Sequence, residues 1–459
     1  MKESVEKLIK ETQEEFFGYL SIPTVSAQNK NIPETVAYVK EMIEVRGGEV
    51  KVLDDLGGNP VVYAYFAAKE DADNKATLLF YNHYDVQPPD PLDEWETEAF
   101  TPTIHDGKLF CRGVSDNKGN LMARLVAIEH FNKTEGGLPC NVKFLIEGEE
   151  EIGSVHLEAY IKKYADLWAD SDGCIWEFGG KQDDETFLVE CGLKGLLYME
   201  LQSQTADIDA HSSLAAVLDN AAWRLTQALA SMKSIDNEIL IEGFYDEVIE
   251  PTADEKAKTL DVPVTAESFK KNFGMRRPFI SDKLGIEPEI ALAFTPTLTI
   301  NGLLSGYTGL GAKTVLPKSA MAKLECRLVP AQTPKHIFNS IRNHLDKNGF
   351  ADIELRTVND GQKAYRSSMD DEFIKLVGET AEVVYAPASP VKVRPTNAGT
   401  GPMDIFGEYL IGLPMATSGV GYARSQAHAP NESIRLADYQ QGVEHMVELI
   451  ARMNELKAK

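Results

Sequence analysis

Between Phe144 and Ser154 an apolar run, F-L-I, passes directly into E-G-E-E-E-I-G-S, so that Glu147, Glu149, Glu150 and Glu151 crowd the end of a short strand-like segment. Like charges this close repel by kcal/mol amounts once they are partly shielded from water. A chain that folds with this strand buried must therefore bring a compensating charge to its end, and a divalent cation is the simplest one. Two further pieces of suitable chemistry stand upstream: His83-Tyr84-Asp85 after another apolar run, and Asp116 in G-V-S-D-N-K-G. The combination points toward metal-dependent hydrolysis.

At 459 residues the chain exceeds one ordinary hydrophobic core, which predicts two domains. Its net charge of −25 argues against a nucleic-acid partner, whose phosphates demand a basic face, and against an anionic membrane surface. Cys111, Cys140, Cys174, Cys191 and Cys326 are scattered and never form a C-x-x-C pair, as expected of reduced, mostly buried thiols. The first residues, M-K-E-S-V-E-K-L-I-K-E, are charged and amphipathic rather than signal-like, and no stretch approaches 18 apolar residues. A cytoplasmic location is the expectation.

A helix is predicted before Pro23 and another over 36–46, closed by Gly47-Gly48. Short apolar runs at 61–66, 77–81, 142–146 and 173–177 alternate with a helical pattern at 119–132. Near-continuous apolar strands between helices imply a buried, mostly parallel α/β sheet. His83, Glu150, Glu151 and Glu177 fall at or just after strand C-termini, where open α/β sheets build their sites. After Gly192 the pattern changes: 197–202 and 321–329 alternate apolar and polar residues, helices are expected at 214–232 and 334–347, and a strand at 352–358. This order resembles a β-α-β-β-α-β unit. Residues 236–277 read as a polar, irregular excursion, and from about Met369 the first rhythm resumes, ending in a helix over 436–455. We therefore expect an α/β domain of 1–194 and 368–459, interrupted by an inserted α+β domain of 195–367.

On an extended segment residues two apart share a face, so Asp85 can orient the ring of His83 and leave its other nitrogen for a metal. Asp116 sits at the mouth of the 119–132 helix, where a single Asp is ordinarily an N-cap; its two oxygens can also bridge two cations, as co-catalytic sites require. Glu150 and Glu151 are adjacent, so their side chains diverge: one can ligate metal while the other faces an activated water. Glu177 closes an apolar strand, and His428 lies in S-Q-A-H-A-P-N-E-S among small residues. Two imidazoles and three carboxylates, with no thiolate, suit zinc, manganese or cobalt.

These residues, in this order, resemble the co-catalytic metallopeptidase family of carnosine dipeptidase, bacterial dipeptidases, aminoacylase, glutamate carboxypeptidase and succinyl-diaminopimelate desuccinylase. N-H-Y-D-V-Q-P, D-G-K-L-F-C-R-G-V-S-D-N-K-G, E-G-E-E-E-I-G-S, D-A-H-S-S, G-A-K-T-V-L-P, C-R-L-V-P and A-H-A-P-N-E carry the likeness over nearly the whole chain, with the cytosolic dipeptidase branch most similar. The resemblance implies a zinc-exopeptidase-like fold with an inserted lid and dimerisation domain. It further implies that Asp116 bridges two divalent ions, that His83 and Glu177 hold one, and that Glu151 and His428 hold the other. Asp85 would orient His83, Glu150 would act as general base and acid, and the Asp116–Asn117 peptide would be cis. His211 would polarise the scissile carbonyl across a homodimer, with Thr314, Arg327 and Thr400 contacting substrate.

The expected activity is amide hydrolysis in dipeptides or small peptides. Glu177, an acid that varies between Asp and Glu across the family, keeps an N-acyl amino acid deacylase or carboxypeptidase in play. A non-catalytic metal-binding scaffold has no use for Glu150, and an interaction protein with an acidic face would bind no metal.

Overall fold

The computed structural model describes residues 1–386 and 388–457. The chain divides into two units. The first comprises Met1–Gly192, Ser367–Pro395 and Ile405–Lys459; the second comprises Leu193–Arg366 together with Thr396–Asp404.

The first unit is built on a six-stranded sheet in the order Glu49–Leu53, Val61–Phe66, Asn141–Glu147, Thr77–His83, Gly173–Trp176 and Met415–Thr417. The last four strands run parallel, and the first two join antiparallel at one edge. Every residue of Thr77–His83 and of Asn141–Glu147 is buried, which is why these strands read as continuous apolar runs rather than alternating ones. The helices Lys118–Thr134, Glu372–Tyr385 and Leu436–Arg452 pack with this sheet into one core. Lys118–Thr134 is buried almost all round, so its sequence shows little amphipathic pattern.

The N-terminal helical segment is two helices, Lys2–Glu11 and Gln13–Leu20, parted at Thr12. All five cysteines are buried and free. Among the described residues no helix is long and apolar enough to cross a membrane.

The second unit carries an antiparallel sheet in the order Thr299–Ser305, Ser319–Leu328, Gly195–Gln204 and Glu354–Thr357. Its two long strands alternate buried with half-buried residues along their lengths. Helices Ala221–Met232 and Pro334–Lys347 supply the other side of a separate core, with Leu197, Leu225, Leu324 and Ile341 at its centre. In chain order this is β-α-β-β-α-β with a helical insert.

Two details differ from the sequence reading. The helix expected from residue 214 begins at Ala221, because Asn220 caps it through its side-chain oxygen. Residues 236–277, expected to be irregular, contain helices Ala253–Leu260 and Ala266–Phe273. Both are short and polar, and each is started by a threonine cap, Thr252 in a full capping box and Thr265. Apolar periodicity is not what makes them helical, so periodicity did not reveal them.

Candidate metal centre

Strand Thr77–His83 ends on His83, which is fully buried. Its Nε2 lies 2.9 Å from Oδ1 of Asp116. The other oxygen of that carboxylate, Oδ2, lies 3.0 Å from Nε2 of His428, and His428 Nε2 is also 3.1 Å from Oε2 of Glu151. One aspartate thus meets two imidazoles, one per oxygen. Donor atoms of His83, Asp116 and Glu151 lie within 4.8 Å of one another. The Asp116–Asn117 peptide is cis.

The His83 ring is positioned from Asp85, but chiefly by the main chain. Nδ1 is 3.0 Å from the Asp85 carbonyl and 3.4 Å from its carboxylate Oδ1. The second carboxylate oxygen, Oδ2, accepts the backbone N–H of Glu151 at 3.1 Å, so Asp85 holds two of the site's residues at once.

The four crowded glutamates separate into two pairs with different work. Glu147 turns back into the core, accepting from the Tyr81 hydroxyl at 2.6 Å and from Ser154 at 2.9 Å; burial pushes its carboxyl up to about 7. Glu149 caps the backbone N–H groups of Asn59 and His156 and pairs with the His156 ring at 2.8 Å. Glu150 and Glu151 face the site. Glu151 is steadied by the Gln87 amide at 2.8 Å. The Glu150 carboxylate makes no hydrogen bond among the described residues. Removal from water raises it well above the usual carboxylate range, Glu177, Asp116 and Glu151 adding to this against the pull of His83.

Glu177 follows strand Gly173–Trp176 and is held by the Asn117 amide, which donates to its Oε2 at 3.0 Å and to its carbonyl at 2.5 Å. Burial, then the charge of Asp116, lifts Glu177 to about 8. Burial would raise Asp116 as well, yet hydrogen bonds from His428 and His83 outweigh it and hold that carboxyl low. His428 is driven up to about 10 by Asp116 and then Glu151. These directions describe one demand, for positive charge between acid oxygens and imidazole nitrogens. A set of nitrogen and oxygen donors around one bridging carboxylate fits divalent cations.

The other expected residues lie in the second unit as two pairs. His211 and Thr314 meet where Ala210–His211 runs antiparallel to Val315–Leu316: the His211 ring nitrogen Nε2 is 3.5 Å from the Thr314 hydroxyl, and Nδ1 is 2.9 Å from Ser213 Oγ. Arg327 donates through Nη1 to Thr400 Oγ1 at 2.7 Å and through Nε to Glu325 at 3.1 Å.

Against known proteins, residues 79–452 match peptidase family M20/M25/M40. The chain belongs to that family. It is 37% identical to an M20 family metallo-carboxypeptidase from Sulfolobus solfataricus, whose crystal structure it matches over 99% of its own length and 100% of the other, with a TM-score of 0.87. A Cys-Gly metallodipeptidase of Schizosaccharomyces pombe is 27% identical over 96% of this chain and 97% of that one. A Beta-Ala-His dipeptidase of Rattus norvegicus is 31% identical over 64% of this chain, a span that is 57% of the rat protein's length.

Several residues that build this peptidase's site were not singled out from sequence. Asn117 is itself held by Asn82, and Arg124 reaches from the buried helix to the carbonyls of Tyr81 and Trp176 at 2.6 and 2.5 Å, tying together the ends of the strands that lead to His83 and Glu177. Glu432 accepts from Arg112 Nη1 at 2.7 Å and from the backbone N–H groups of Gly113, Ser115 and Asp116 at 2.8, 2.8 and 3.0 Å. The available signal was position: Asn117 follows Asp116 directly, and Glu432 stands four residues after His428.

Proposed function

We propose that this peptidase hydrolyses the amide bond of dipeptides or small peptides, a reading carried by one observation: the two oxygens of Asp116 engage separate imidazoles beside a glutamate, Glu150, whose carboxylate has no hydrogen-bonding partner among the described residues. Two divalent cations, zinc or manganese with cobalt as a third option, held by His83, Asp116, Glu177, Glu151 and His428, would supply Lewis acidity and acidify a bound water by several pKa units. Glu150, with its affinity for a proton raised, takes up the proton that water gives and returns it to the leaving amine. Asp85 keeps His83 in register. His211 donates to the developing oxyanion, an interaction worth roughly 3 kcal/mol per donor; we assign it to act across a homodimer. Thr314, Arg327 and Thr400 hold the substrate, Arg327 by its carboxylate.

A second reading, carboxypeptidase or N-acyl amino acid deacylase, is favoured by the Sulfolobus likeness and by Glu at position 177. Dipeptides, longer peptides and N-acetyl amino acids offered to the cation-loaded protein separate the two: preferred release from dipeptides supports the first, preferred release from acylated amino acids the second. The substitution Glu150→Gln leaves bound metal at the wild-type stoichiometry by elemental analysis while turnover falls about 10²–10⁴-fold; full activity in that variant refutes the assigned base. Mixing Glu150→Gln with His211→Ala protein restores turnover well above that of either variant alone, and no recovery excludes action across the interface.

A further inference from the structure

Helix Lys118–Thr134 carries Arg124 into the core of the first unit, where it is 1% exposed and its guanidinium meets only neutral groups. It donates to the carbonyls of Tyr81, Trp176 and Ser418 and, at 2.5 Å, to the side-chain oxygen of Asn82, and it lies over the Phe80 ring. Among the described residues no carboxylate hydrogen-bonds to it; burial pushes it down to about 9, with Cys174 and Glu177 opposing. A buried cation without a paired anion opposes folding, and an apolar side chain would serve bare packing better. The hydrogen bonds run on from it in one direction. Asn82 turns its amide nitrogen to Oδ1 of Asn117, and Asn117 turns its own to Glu177, to Oε2 at 3.0 Å and to the carbonyl at 2.5 Å. Every member of this chain is buried. A guanidinium only donates and a main-chain carbonyl only accepts, so both ends fix the same polarity and neither amide can be turned round. Oε2 of Glu177 is thereby committed to a donor, while Oε1 accepts no hydrogen bond among the described residues.

We propose that Arg124 is a positioning residue for Glu177: through Asn82 and Asn117 it sets an N–H on Oε2, so that Glu177 meets a divalent cation with Oε1 alone. The inference rests on the reading of Glu177 as a cation ligand and adds to it the device that orients the carboxylate. Ligating carboxylates are hydrogen-bonded in their turn, and losing such a partner costs about 10–100-fold in metal affinity. Here the partner's own orientation is dictated from further back, by a charge that cannot be titrated away and offers donors only. With that cation gone, Asn82 is free to turn its oxygen toward the oxygen of Asn117, and the carboxylate loses its register.

Titration of the cation-free protein with cobalt(II), read by chelator competition and by visible absorption, tests this without catalysis. The wild type takes up two ions per chain. Asn82→Asp keeps the size of the side chain and the bond from Arg124 but turns an acceptor toward Oδ1 of Asn117. It weakens one of the two ions about 10–100-fold and alters the visible spectrum. Added negative charge near the site would by itself tighten cation binding, so a weakened ion marks lost orientation rather than changed charge. Arg124→Met weakens the same ion, and Arg124→Lys, which restores a donor, recovers most of the loss. A cooperative thermal transition in Asn82→Asp separates lost orientation from lost fold, and that variant decides the outcome where Arg124→Met does not fold. Glu177→Ala reads the underlying assignment on its own. Two ions at wild-type affinity in Glu177→Ala refute Glu177 as a ligand. A weakened ion in Glu177→Ala, with binding unchanged or tighter in Asn82→Asp, overturns the role of Arg124 and leaves the ligand standing.

Discussion

Glu432 takes no part in the proposed chemistry, yet four hydrogen bonds from residues 112–116 converge on it while its own backbone continues the loop that presents His428. It is fully buried, and so is the Arg112 guanidinium it faces. Removing one member of such a pair leaves the other charged and unsolvated, which typically costs 3–5 kcal/mol. Glu432→Gln should therefore lower unfolding stability by about 3 kcal/mol in denaturant titration. It should also weaken cation binding about 10–100-fold, the usual penalty for losing support behind a ligand. Unaltered affinity in a well-folded variant would show that Asp116 and His428 keep their places without it. His428 itself has φ 64°, in the left-handed region that a side chain of its size rarely adopts, with Gln426 and Asn431 alike at 54° and 64°. Such residues persist where the surrounding structure holds them, and they gather at functional loops.

Among the elements, those whose apolar pattern follows their burial were the easiest to read. The strand expected at 61–66 is Val61–Phe66, and the helix expected at 334–347 is Pro334–Lys347, begun by Thr333 and a proline in its first turn. Where a cap rather than an apolar pattern decides, the sequence reading slipped, as at Asn220. That oxygen accepts from Ala222 N at 2.9 Å and Trp223 N at 3.3 Å. Asn220→Ala should cost about 1 kcal/mol, measured as a lowered unfolding midpoint with an unchanged denaturant slope. His83, Asp116, Glu151 and His428, which the structure brings together, were legible because acids and histidines recur at the ends of apolar runs in their sequence. Asn117, Arg124 and Glu432 were not, since a buried polar residue that satisfies carbonyls looks in sequence like a surface one.

For the molecule as a whole, one buried histidine sets an acid limit on stability. His445, on helix Leu436–Arg452, is 0% exposed, with Ser418 Oγ 2.8 Å from Nδ1, Thr380 Oγ1 3.1 Å from Nε2, and the rings of Phe187 and Tyr385 edge-on. Burial pushes its pKa from 6.5 down to about 4. Between those values the unfolded chain binds a proton that the folded one refuses. Its contribution to stability is thus complete above pH 6.5 and is lost as pH falls toward 4, by up to about 3 kcal/mol. His445→Gln should flatten that part of a stability–pH curve, and an identical slope in the variant would assign the loss to other groups. The order of the site along the polypeptide has a separate consequence during synthesis. His83, Asp116, Glu151 and Glu177 leave the ribosome long before His428 and Glu432, so a nascent chain presents an incomplete cage until those two residues have been made. On the proposed site, hydrolytic competence requires synthesis past Glu432, and a product truncated before Gln426 should be inert toward the peptides around it.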